Sequence, residues 1–126
     1  MEKKLVDVCV VHDICTDYNP EWAKLMQDAV WKQLKGEEQL DVSLSIRLEF
    51  FLTKSRYKGK MDVDNMIKTV IDSLNANEHD DRAEYPIYDD CWIENVEATK
   101  IPTEEPDFRR EKTHIEIWEW SEAKIN

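Results

Sequence analysis

The sequence predicts a single α+β domain with its elements in the order β-α-β-α-β-β, and three observations lead there. The chain has 126 residues, with no repeat, low-complexity tract or glycine/serine linker, which suits one domain. Some segments alternate apolar and polar residues with the two-residue period of a strand, while others repeat apolar residues with a helical period. Only two glycines occur, too few for a glycine-rich nucleotide-binding loop.

Leu5–Val11 reads as the first strand, with Val6, Val8 and Val10 alternating against Asp7 and Cys9. Asn19-Pro20-Glu21 opens a helix: a capping side chain, a proline where no donor is needed, and an acid at the positive end of the dipole. Trp22, Leu25, Met26, Ala29, Val30 and Gln33 follow at helical spacing, and Gly36 is a natural stop. Asp41–Leu52 is the clearest strand. Val42, Leu44, Ile46, Leu48 and Phe50 share one face, and Ser43, Ser45, Arg47 and Glu49 the other. Phe51 departs from the alternation and marks a second packed surface or a partner contact. Residues 53–60 read as a polar, basic loop. Asp62 then caps a second helix running to about Asn77, with the apolar stripe Val63, Met66, Ile67, Val70, Ile71 and Leu74. Residues 75–88 read as a loop, Asp90–Ile101 as a third strand, and Thr113–Trp120 as a fourth.

Composition narrows the functional classes. With 41% hydrophobic and 36% charged residues, the chain is that of a globular protein. No apolar run approaches the roughly 18 residues of a membrane span. Asp7 interrupts the apolar stretch that a signal peptide would need. Cys9, Cys15 and Cys91 are an odd number without metal-ligand pairing, which fits free thiols in a reducing cytoplasm. Secreted, membrane and disulfide-scaffold classes are therefore not expected. The net charge of −11 argues against nonspecific adhesion to nucleic acid. It leaves local contact open, because screening limits distant repulsion to a Debye length of about 8 Å. Residues 53–60 hold four basic residues and no acidic one, and they abut residues 61–100, where eleven acids face three bases.

That boundary is where chemistry is expected. Asp62 and Asp64 bracket a helix start, and Asp64, Lys68 and Asp72 form a row at i, i+4 spacing. Two close carboxylates repel unless a cation lies between them, and hard divalent ions choose such oxygen ligands. Lys68 could hold a phosphate oxygen. The same residues also read as a cap and a solvated ion-pair row. Asp89-Asp90 before the third strand could converge with Asp62 and Asp64 on one metal, or be a turn. Lys54, Arg56, Lys58 and Lys60 would then supply phosphate-backbone contacts. Glu78-His79-Asp80-Asp81 reads as a solvated loop, His12 and His114 as structural, and Cys91 as a small buried side chain. Trp118 and Trp120 read as core or dimer surface.

Lys60-Met-Asp62-Val-Asp64-Asn65-Met-Ile-Lys68-Thr-Val-Ile-Asp72-Ser-Leu74-Asn75, followed by Asp89-Asp90-Cys-Trp-Ile93 and Lys100, resembles the RusA family of Holliday junction resolvases. The resemblance runs over roughly residues 40–120. It implies one small RusA-like α+β domain over residues 1–126, with a mixed sheet and two helices. It also implies a homodimeric, phage-associated endodeoxyribonuclease that depends on Mg²⁺, with Mn²⁺ possible, acts on four-way junctions in recombination and repair, and works in a bacterial cytoplasm, encoded by a phage or prophage. Asp62, Asp64 and Asp90 correspond to its catalytic, metal-binding carboxylates and Lys68 to its catalytic lysine. The alternatives are a nuclease for other branched DNA, a junction-binding protein without catalysis, and an acidic DNA mimic.

Overall fold

Leu44, Ile46, Leu48, Phe50 and Leu52 are all fully buried on one face of strand β2 (Leu44–Thr53), and the fold is assembled over that face. The coordinates are those of a computed structural model, which describes residues 3–35, 38–59, 61–77, 79 and 81–120. Gly36, Lys60, Glu78, Asp80 and the tail 121–126 lie outside the described residues. The other elements are β1 (Lys3–Val11), α1 (Pro20–Gln33), α2 (Lys54–Lys58), α3 (Val63–Leu74), β3 (Ile93–Thr103) and β4 (Lys112–Glu119). The sheet order is β1-β4-β2-β3, with β2 and β3 parallel and the other two pairs antiparallel. The mixed sheet is thus as expected. A third helix, α2, is additional, formed where the basic segment had read as a loop.

Local chemistry explains most boundaries. Asn19 accepts from the Trp22 amide at 3.0 Å, and Pro20 follows as the first helical residue. The buried face of α1 is Trp22, Ala23, Met26, Gln27 and Val30, whereas Leu25 is exposed. Helix α3 is rotated from the face its apolar stripe suggests: Met66, Thr69, Val70, Ser73 and Leu74 are buried, and Ile67 and Ile71 only partly so. Thr69 and Ser73 donate their hydroxyls to the carbonyls of Asn65 and Thr69, each at 2.7 Å, so they can face the core without unpaired polar atoms. Gln27 donates to the Ser73 carbonyl at 2.9 Å, joining α1 to α3.

Helix α3 ends at Leu74 rather than near Asn77, because the chain beyond it pairs with buried Ile87. Ile87 donates its amide to the Leu74 carbonyl at 3.0 Å, and the Ala76 amide donates to Ile87 at 2.8 Å. Asp90–Trp92 forms a 3₁₀ turn instead of the start of the strand, and β3 runs on through Pro102, which an edge strand tolerates. Among the described residues no helix is long and apolar enough to cross a membrane.

Three segments meet at Glu111, whose side chain is fully buried. Its carboxylate accepts from the Ile14 amide at 3.1 Å, the Thr53 amide at 2.9 Å and the Thr53 hydroxyl at 3.3 Å. Arg56 Nε lies 3.2 Å away as the counter-charge, and the Arg56 guanidinium also donates to the Ile14 carbonyl. Removing one member of such a group leaves a charge and backbone donors unpaired. Glu111→Ala should therefore lower the free energy of unfolding in urea by about 3 kcal/mol or more. A change below about 1 kcal/mol, the scale of an exposed pair, would contradict this role.

Candidate active site

Asp62 sits just before α3 in extended backbone, and its Oδ1 accepts from the Asp64 amide at 2.9 Å. The cap turns both carboxylates toward solvent, and both residues are exposed. This is an all-oxygen donor pair, the chemistry that Mg²⁺ and Mn²⁺ take. Lys68 stands one turn along, also exposed. Among the described residues Lys68 makes no ion pair with Asp64 or Asp72, so the solvated ion-pair row is not formed.

Asp90 is exposed in the 3₁₀ turn before β3, where its Oδ1 accepts from Asn77 Nδ2 at 3.1 Å. Asp89 accepts from the Cys91 amide at 2.9 Å, and that hydrogen bond holds its carboxyl below the usual carboxylate range. Asn77 lies beyond the C-terminal end of α3, whereas Asp62 and Asp64 lie at the N-terminal end. From Asp64 to Leu74 the helix advances about 15 Å. The sheet agrees with this placement: Ile93, at the start of β3, pairs with Leu44, while Lys100, near its end, donates to the Met61 carbonyl at 2.8 Å. One chain therefore holds the three aspartates at opposite ends of α3.

The basic residues play unequal parts. Arg56 is engaged with Glu111 and Ile14, and its guanidinium lies 5.8 Å from the centre of the Phe108 ring. Lys54 pairs with Glu104 at 2.9 Å in solvent. Lys58 is exposed, and Lys60 lies outside the described residues. Lys100 was legible only through the resemblance. It binds the carbonyls of Tyr57 and Met61 and lies 5.3 Å from the centre of the Tyr57 ring, fastening the end of β3 to the approach to Asp62. No local spacing announces that contact.

Other candidates resolve differently. His79 lies 3.1 Å from both the Asp72 carbonyl and the Tyr85 hydroxyl and stacks on Tyr85, a packing role. Its neighbours Glu78 and Asp80 lie outside the described residues. Cys91 is exposed rather than buried, because it occupies the turn before β3 instead of the strand. Burial, with Asp13 nearby, pushes the Cys15 thiol up to about 11, so it is not an activated nucleophile. Among the described residues, two trios hold their ligand atoms within 4.8 Å of one another: His12, Asp13 and Cys15, and Asp7, His114 and Glu116.

A family model described as endodeoxyribonuclease RusA matches residues 10–117. Neither the curated proteins nor the solved structures contain a match.

His114 lies on the sheet face away from the core, with Nε2 2.6 Å from Asp7 and Nδ1 2.7 Å from Glu49. Lys4 and Glu116 complete the group, with Lys4 3.0 Å from Asp7 and 3.7 Å from Glu116. Burial opposes charge on His114, but the hydrogen bonds to Glu49 and Asp7 outweigh it and raise the pKa above the ordinary 6.5. A raised folded-state pKa stabilises fully below the unfolded value and is lost as pH rises through the folded one. The stability advantage of the native chain over His114→Gln should therefore be largest below about pH 6.5 and above the carboxylate range, and shrink as pH rises. Urea unfolding at a series of pH values checks this. An advantage that grows with pH would contradict it.

Proposed function

The chain belongs to the RusA endodeoxyribonuclease family, whose members act on branched DNA as Holliday junction resolvases, and from that premise we propose a specific activity. It is a Mg²⁺-dependent homodimeric resolvase acting in recombination and repair. Asp62, Asp64 and Asp90 hold the ion and Lys68 meets the scissile phosphate. The observation that carries this reading is the exposed Asp62–Asp64 pair, held open by its own cap directly after the basic helix α2.

Each residue has a distinct task. Asp62 fixes the first turn of α3 and presents its remaining oxygen, while Asp64 presents an exposed carboxylate. A divalent ion bound there would favour a water nucleophile at neutral pH and offset charge on the phosphate. Lys68, which makes no ion pair among the described residues, is available to a phosphate oxygen. Lys54 and Lys58 hold flanking phosphates, and Arg56 positions them by anchoring α2. The acidic remainder of the surface restricts DNA to this strip, since its repulsion fades within about 8 Å.

The separation along α3 adds a requirement. Asp62 and Asp64 of one chain share an ion with Asp90 of the partner subunit, so a complete carboxylate set exists only in a dimer. A two-fold pair of such sites suits the near two-fold symmetry of a four-way junction, where resolution needs two incisions.

The test is a labelled four-way junction incubated with Mg²⁺ or with EDTA, beside linear duplex and flap controls. Paired symmetric nicks that require Mg²⁺ are expected. Binding without cleavage at any divalent-ion concentration would overturn the enzymatic reading. Asp64→Asn should abolish cleavage and leave junction affinity equal or tighter, because the cap uses the Asp64 amide rather than its side chain. Lys54→Ala and Lys58→Ala should each flatten the salt dependence of junction binding by about one unit of slope. Slopes unchanged in both variants would remove α2 from the interface.

A further inference from the structure

The loop between β1 and α1 gathers a nitrogen, an oxygen and a sulfur donor within four residues. The ligand atoms of His12, Asp13 and Cys15 all lie within 4.8 Å of one another. We infer that this loop is a binding site for a transition-metal ion of the zinc class, held by His12, Asp13 and Cys15 and independent of the carboxylates on α3.

The loop backbone is already fixed. The His12 amide donates to the Glu111 carbonyl at 3.0 Å and the Ile14 amide to the Glu111 carboxylate at 3.1 Å. The Arg56 guanidinium holds the Ile14 carbonyl. Asp13 is thus clamped on both sides, and the His12 ring stacks on buried Trp22 at 6.4 Å and 16°. A site whose supports are in place loses little freedom when it binds an ion. His12 Nδ1 already lies 3.0 Å from Asp13 Oδ1. Bonds of about 2.0–2.3 Å in a tetrahedral site place ligand atoms roughly 3.5 Å apart, so small side-chain adjustments close the trio on an ion.

The donor set decides which ion. A thiolate and an imidazole favour zinc-class ions, whereas Mg²⁺ prefers oxygen donors alone. The two kinds of site therefore do not compete for one metal. On binding, the Cys15 S–H bond breaks, the sulfur keeps the electron pair for the metal, and the proton goes to solvent. The Asp13 carboxylate and the thiolate then balance the two positive charges of the ion. Three protein ligands leave a fourth position for water. The bound ion would brace the β1–α1 loop against Glu111 and Arg56, on which α2 rests.

Co²⁺ is the probe, because a thiolate ligand gives it a near-ultraviolet charge-transfer band and tetrahedral geometry gives it intense visible bands. The full chain carrying Cys9→Ser and Cys91→Ser leaves Cys15 as the thiol. Stoichiometric Co²⁺ should produce both sets of bands, equimolar Zn²⁺ should bleach them, and excess Mg²⁺ should leave them unchanged. Cys15→Ser should remove the near-ultraviolet band, and His12→Gln should weaken Co²⁺ affinity by about tenfold or more. Asp64→Asn should leave the spectrum and affinity unaltered, which separates this site from the junction-cleaving one. Absence of the near-ultraviolet band, or its persistence in Cys15→Ser, overturns the proposal. If Cys15→Ser does not fold, His12→Gln decides: undiminished affinity overturns the site.

Discussion

The buried carboxylate of Glu111 holds together three segments that could not otherwise satisfy one another. Ile14 of the β1–α1 loop and Thr53 at the end of β2 each offer it a backbone donor, and Arg56 of α2 supplies the positive charge. Burying a charge is costly unless it is paired and hydrogen-bonded, and here both conditions are met. Because Glu111 takes up the Thr53 hydroxyl, α2 begins without a side-chain cap and depends on this contact for its direction. From α2 three residues lead to Asp62, where Lys100 secures Met61 from the side of β3. The exposed aspartate pair is thus placed by a buried group outside the motif.

The second constraint is the route from β2 to β3. Parallel strands need a long crossover, and α3 supplies it, so residues at its two ends face opposite ends of the sheet. The span of this strand-helix-strand unit is therefore also a spacing between Asp64 and Asp90. In a single chain that distance prevents one ion from touching all three carboxylates. In the proposed homodimer a second chain would remove the obstacle and join catalysis to assembly.

Much of the fold is legible in the residues themselves. The alternation from Leu44 to Leu52 marks a strand because one face is wholly buried, and Asn19-Pro20 and Asp62 mark helix starts because their caps are local chemistry. The rest depends on tertiary partners. Lys54–Lys58 is helical where Arg56 meets Glu111, a contact across 55 positions that no periodicity encodes. Thr69 and Ser73 face the core because hydroxyl-to-carbonyl bonds within α3 satisfy them, which an apolar stripe cannot reveal. His114 finds partners on β1 and β2, and Asp90 finds Asn77, only once the strand order is known. Spacing draws attention to Asp62 and Asp64, and the resemblance adds Asp90; that they lie at opposite ends of α3 is visible only in the topology.

The most direct test of this account is a complementation experiment between Asp64→Asn and Asp90→Asn chains, refolded together so that mixed dimers form. Each variant alone should fail to cut a four-way junction. In a mixed dimer one site combines both substitutions, while the other joins an intact Asp62–Asp64 pair to an intact Asp90 across the interface. The mixture is expected to regain Mg²⁺-dependent nicking, on one strand of each junction. A mixture as inactive as either variant alone, in a sample shown to contain mixed dimers, would contradict it and place the working carboxylates within a single chain.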